Sequence, residues 1–139
     1  MSLTELAPGR YAGRGDGMES GPFAATIDVT PLPGGSVAVD YTAVTDAGEE
    51  LHREHTIASK GFDGRDRLYI AHAESPFVTV MIETEPGSGR FEMPEPFGPY
   101  DMVIVAERPS EKGLSWAWHW APTGGEPVEQ SCARVGLER

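Results

Sequence analysis

Turn residues recur through this chain at intervals too short for helices of ordinary length. Gly and Pro, 17 and 12 of the 139 residues, gather at Gly15-Asp16-Gly17, Pro33-Gly34-Gly35, Asp46-Ala47-Gly48, Asp63-Gly64, Ser75-Pro76, Pro86-Gly87-Ser88-Gly89, Pro94 to Pro99, Glu111-Lys112-Gly113 and Thr123-Gly124-Gly125. Between these clusters lie runs rich in Val, Ile, Thr and aromatic residues, which suit a pleated surface. Nine such connections imply ten strands, and only Ser2 to Pro8 has room for a helical turn. The expected fold is all-β: an antiparallel up-and-down barrel of about ten strands, in one domain over residues 1–139.

A chain of this size buries roughly two-thirds of the surface it exposes when unfolded, so no covalent staple is needed. Cys132 is the single cysteine, which rules out an internal disulfide and fits a reducing compartment. Met1 to Leu6 has neither a basic start nor an apolar run, and no apolar stretch approaches the ~20 residues that span a bilayer. A cytoplasmic protein is therefore expected. Its net charge of −11, from 22 acidic and 11 basic side chains, repels nucleic acid and anionic membrane surfaces. No P-loop, dinucleotide fingerprint, Gly-x-Ser-x-Gly elbow or Cys-x-x-Cys occurs. Gly13, Gly15 and Gly17 lack the spacing of a phosphate-cradling loop.

Hairpin registers decide which side chains share a face. A three-residue loop at Pro33-Gly34-Gly35 sets Val29 opposite Val39, Ile27 opposite Tyr41 and Ala25 opposite Ala43. The same rule at Asp46-Ala47-Gly48 sets Tyr41 opposite Arg53 and Val39 opposite His55. A two-residue loop at Asp63-Gly64 then places Ile57, His55 and Arg53 opposite Ile70, His72 and Glu74. The inner face so predicted holds Phe23, Ile27, Val29, Val37, Val39, Leu51, Ile57, Leu68 and Ile70, with Tyr41, Arg53, His55, His72 and Glu74 embedded in it. In the second half the predicted inward set is Val78, Val80, Ile82, Val103, Val105, Trp116, Trp118, Trp120, Cys132 and Arg134. The Pro-rich segment 93–100 reads as an ordinary loop or, alternatively, as a rim loop or lid.

Several short motifs carry a resemblance. Leu6-x-x-Gly9-x-Tyr11-x-Gly13-x-Gly15 and Leu51-His52-Arg53-Glu54 are similar to segments of nitrobindin-like barrels. Cys132-Ala133-Arg134-Val135 resembles the last strand of fatty-acid-binding proteins. In strand order the whole chain resembles the calycin group, which also includes the lipocalins. That resemblance implies a cavity for a small apolar or amphipathic ligand, with Arg134 meeting a ligand carboxylate, and it raises heme as a cofactor. Residues 126–131 lack the histidine that nitrobindin-like proteins use for heme, and Gly136 stands where fatty-acid-binding proteins carry Tyr.

The candidate site is Tyr41, Arg53, His55, His72, Trp116, Trp118, Trp120 and Arg134. Arg53 with Glu74 reads as a structural ion pair or, held by Glu74 and Tyr41, as an anchor for an anionic head group. The tryptophans would line the cavity with Val39, Ile57 and Ile70, or pack as core, or form a homodimer face. His55 and His72, as direct cross-strand neighbours with Cβ atoms about 5 Å apart, would pack as a hydrogen-bonded pair, hold a metal or heme iron, or transfer a proton. His52, three residues from His55, falls on the opposite face. No third ligand for a metal is evident, and Cys132 reads as a small buried hydrophobe. These readings leave three functions: a cavity binding a small apolar or amphipathic molecule, a His-based cofactor or catalytic site, or a filled barrel acting through its surface.

Overall fold

The turn clusters reverse the chain, and the β-branched and aromatic runs between them pair into one continuous ladder. The computed structural model describes residues 2–95 and 98–138. A 3-10 turn at Leu3–Glu5 precedes β1 (Gly9–Gly17), β2 (Gly21–Pro31), β3 (Val37–Val44), β4 (Glu50–Lys60) and β5 (Asp66–His72). Next come β6 (Thr79–Glu83), β7 (Arg90–Glu92), β8 (Tyr100–Glu107), β9 (Gly113–Pro122) and β10 (Val128–Leu137). Each strand pairs antiparallel with its neighbours in sequence, and β1 closes on β10. This is the expected all-β, ten-strand up-and-down barrel. Among the described residues no helix is long and apolar enough to cross a membrane.

Alternation with period two sends one face of each strand into the barrel. Phe23, Ala25, Ile27 and Val29 of β2 meet Val37, Val39, Tyr41 and Ala43 of β3, in the register that the Pro33-Gly34-Gly35 turn predicts. Leu68 and Ile70, Met81, Phe91, Ile104 and Ala106, Leu114 and Trp116, and Ala133 and Val135 complete the core. Gly15 faces inward opposite Phe23. A Cβ at Gly15 would lie 2.2 Å from the Phe23 ring, so the missing side chain at this one position gives that aromatic its space.

Other registers differ from expectation, and two β-bulges account for most of the difference. Ala43 pairs with His52 and Val44 with Glu50, leaving Leu51 as an extra residue. Beyond that bulge Tyr41 faces Glu54 and Val39 faces Thr56. Consequently His52, Glu54, Thr56 and Ala58 point inward, while Arg53, His55 and Ile57 point outward. The Asp63-Gly64 turn is also longer than two residues. Asp63 accepts bonds from the Arg65 amide, the Arg65 side chain and the Arg67 side chain, and these hold residues 61–65 as the loop. The two shifts compensate, so Leu68, Ile70 and His72 keep their predicted inward face.

Val128 pairs with Trp120, the register expected from Thr123-Gly124-Gly125, but a second bulge between Glu129 and Ser131 shifts the rest of β10 by one residue. Ala133 and Val135 therefore face Trp116 and Leu114 from inside, and Cys132 and Arg134 lie on the outer face. In β6 it is Thr79, Met81 and Glu83 that turn inward, leaving Val80 outside with Ile57 and Tyr69. In β8 the inward residues are Ile104 and Ala106, paired with Trp118 and Trp116, in place of Val103 and Val105.

One barrel end is closed. Leu3 and Leu6 plug it, joined to the core cluster with Tyr11, whose hydroxyl donates to the Ala7 carbonyl. Buried Asp66 accepts bonds from the Ser2 hydroxyl and the Leu3 amide, both at 2.7 Å. Buried Glu83 accepts from the amides of Asp66 and Gly89, both at 3.0 Å. The opposite end, formed by the turns after β1, β3, β5, β7 and β9, opens into a cavity.

Candidate functional site

The cavity measures about 660 Å³. Phe23, Tyr41, Trp118 and Met102 form its inner wall, and Tyr100, Trp120, Glu19, Ser75 and Gln130 stand around its mouth. The extra residue of the first bulge, Leu51, lines it, as does Gln130 from the second. Bulges re-aim side chains locally, and both of these lie at the cavity. Of the segment proposed as a rim loop, Gly98, Pro99 and Tyr100 line the mouth, whereas Pro96 and Phe97 lie outside the described residues.

A chain of hydrogen bonds runs along the polar side of this space. It begins at Glu54, whose side chain is wholly buried and which sits between Tyr41 on β3 and His72 on β5. The Trp118 indole N–H donates to Glu54 Oε2 at 2.9 Å, and His52 Nε2 lies 2.7 Å from the same oxygen. The other nitrogen of His52, Nδ1, lies 2.7 Å from Glu74 Oε1. Glu74 Oε2 is 3.2 Å from His72 Nδ1, and His72 Nε2 is 3.3 Å from the Thr79 hydroxyl. The rings pack together: His52 is 5.5 Å from Tyr41 and 6.2 Å from Trp118 between centroids, and His72 is 5.6 Å from Trp118.

These contacts set the charges. Burial works against a charged His52, but hydrogen bonds and charge from Glu54 and Glu74 outweigh it and raise its pKa to about 9. Burial likewise opposes charge on Glu74, and bonds from His52 and His72 override it, lowering its pKa to about 2. Burial, and then the Glu54 carboxylate, push the Tyr41 phenol well above its ordinary range. At neutral pH His52 is thus an imidazolium, with both N–H groups given to carboxylates. Among the described residues Glu54 Oε1, Thr56 Oγ1, Trp116 Nε1 and, away from the cavity, Arg108 Nε are buried without a hydrogen-bond partner.

The candidate residues separate into two groups. Tyr41, His72, Trp118 and Trp120 line the cavity, together with Glu74. Trp116 is fully buried in the core. Arg53, His55 and Arg134 do not belong to the cavity. Arg53 is a surface side chain, 70% exposed and paired with Glu50. His55 is bonded to Asp40 on the outer face, and Arg134 lies outside between Arg14 and Ser115. The cause in each case is the one-residue shift at a bulge. Val39 and Ile70 are buried core residues, and Ile57 is 38% exposed outside.

His52 and Glu54 are the functional candidates that register reasoning placed on the wrong face. The signal available for them was the alternation His52-x-Glu54-x-Thr56, three polar residues at inward spacing on one strand. An iron held between His55 and His72 does not fit this arrangement. His55 is outside the barrel, both nitrogens of His52 are engaged, and those of His72 lie near Glu74 and Thr79. Among the described residues no group of three His, Cys, Asp or Glu side chains is placed to hold a metal ion.

Compared with models of known protein families and with curated proteins, the chain matches none.

Proposed function

We propose that this protein binds one small, largely apolar molecule in the open half of its barrel, in the manner of calycin-type binding proteins. The observation that carries this reading is the cavity itself: about 660 Å³, walled by Phe23, Tyr41, Met102, Trp118 and Trp120, with a few polar side chains among them. Ligand sites are typically concave, mainly apolar and equipped with a few placed polar groups. Buried polar groups cost stability unless they are satisfied, and the Glu54–His52–Glu74–His72 chain keeps several of them beside an aromatic wall. A closed ten-strand meander is also compatible with the calycin architecture.

Nile red, a neutral fluorophore, tests the reading. Titration should give a blue-shifted, saturable signal with one site per chain. Ser131 lines the cavity opposite Trp118 and takes no part in the hydrogen-bond chain. Ser131→Phe should fill the space and abolish the signal while near-UV circular dichroism stays native. Absence of saturable binding in the wild type would sink the proposal.

A further inference from the structure

The cavity also selects the kind of charge its occupant carries, an inference that rests on the binding reading above. Among the described residues four ionisable side chains line it, Glu19, His52, His72 and Glu74, and the nitrogens of His72 lie beside Glu74 and the Thr79 hydroxyl. His52 is closed off, because each of its nitrogens is bound to a carboxylate, Glu54 on one side and Glu74 on the other. Neither Lys nor Arg lines the cavity among those residues. Both arginines expected to meet an anionic group, Arg53 and Arg134, stand on the outer face. An anionic head group would therefore find no free cation among the described lining residues, and it would face Glu19 and Glu74.

A cationic head group meets the opposite conditions. Trp118, Trp120, Tyr41, Tyr100 and Phe23 present aromatic rings to the space, and aromatic faces attract cations, Trp most strongly. Glu74, between His52 and His72 in the hydrogen-bond chain, has a half-exposed side chain. Glu19, on the β1–β2 turn, supplies a second carboxylate to the cavity. The net charge of −11 draws cations toward the molecule as a whole.

We infer that the bound molecule is a cationic amphiphile, an organic ammonium bearing an apolar chain. Its head sits at the mouth among Trp120, Tyr100, Glu19 and Glu74, and its chain lies inward against Phe23, Met102 and Trp118. Quaternary and tertiary amines suit such a setting, because they gain from aromatic faces and require few hydrogen bonds.

The test compares three ligands with the same chain, decyltrimethylammonium, decanol and decanoate, all below micelle formation and at one ionic strength. Affinity is read by displacement of Nile red and by tryptophan fluorescence. Decyltrimethylammonium should bind about tenfold more tightly than decanol, and decanoate least. Glu74→Gln should weaken the ammonium several-fold and leave decanol unchanged. Glu19→Gln, on an exposed turn where folding is not at stake, should do the same to a smaller extent.

Binding of none of the three would remove the cavity reading itself. Equal binding, or a preference for decanoate, would overturn the cationic assignment and leave the cavity reading standing. Ammonium binding that survives Ser131→Phe would mean attraction to the acidic surface, and would also overturn the assignment.

Discussion

The two ends of this barrel both bury carboxylates, and they treat them differently. At the closed end Asp66 and Glu83 receive hydrogen bonds on every carboxylate oxygen, from backbone amides and the Ser2 hydroxyl. At the open end Glu54 uses only one oxygen, shared between Trp118 and His52, and leaves Oε1 without a partner among the described residues. A fully satisfied carboxylate acts as a clamp, joining the N-terminal segment to β5 and the β6–β7 turn. One satisfied by half, beside a charged imidazole and an open cavity, has been kept despite its cost to stability. Structure is concentrated at one end and chemistry at the other.

Mutations break this contrast in a defined order. Asp66→Ala should have the largest effect. It removes two bonds to a carboxylate and leaves the Leu3 amide buried without an acceptor, costing about 3 kcal/mol or more. Urea denaturation should show the midpoint falling sharply, while any protein that remains folded still binds Nile red. Full stability after this change would mean that the clamp is not structural.

An intermediate effect belongs to the open end and depends on pH. His52 has its pKa raised from 6.5 to about 9 on folding. Its contribution to stability is therefore complete below 6.5 and is lost as pH rises through about 9. The stability difference between wild type and His52→Gln should narrow over that interval. A histidine NMR titration should place the His52 midpoint well above that of a free imidazole, and Glu74→Gln should lower it. A midpoint near 6.5 would contradict the arrangement described.

The smallest effect is expected at the residue that first suggested an anchor. Arg53→Ala removes an exposed pair with Glu50, worth about 0.5 kcal/mol or less. Ligand affinity should not change. A clear loss of binding in calorimetry would return Arg53 to the cavity and invalidate the β4 register.

The strand count, the barrel and the inner faces of β2, β3 and β5 were legible, because glycine, proline and alternating apolar residues encode turns and burial directly. The register of β4 was not. Leu51 and Ile57 invite one face inward, and only the bulge at Leu51 brings His52, Glu54 and Thr56 inside instead. Hydrophobicity cannot locate an inserted residue when both faces of a strand mix polar and apolar side chains. The same limit applies at Gln130, where the β9 tryptophans keep their expected face and Cys132 and Arg134 do not. The fold was thus readable from patterns, whereas the site depended on two single-residue irregularities.

The wall of the barrel is not equally thick all round. β7 has three residues, and it joins β6 through only two register pairs, Ile82 with Glu92 and Glu83 with Phe91. A closed barrel has no free strand edge, but it has a latent one wherever its ladder is this thin. Local opening begins at the least-bonded elements, so amide exchange should be graded around the circumference and fastest at β6 and β7. Glu83, bonded to amides on both flanks, acts as the latch on that seam. When the latch gives way, the exposed flanks of β6 and β8 are where another chain would first find a strand to pair with.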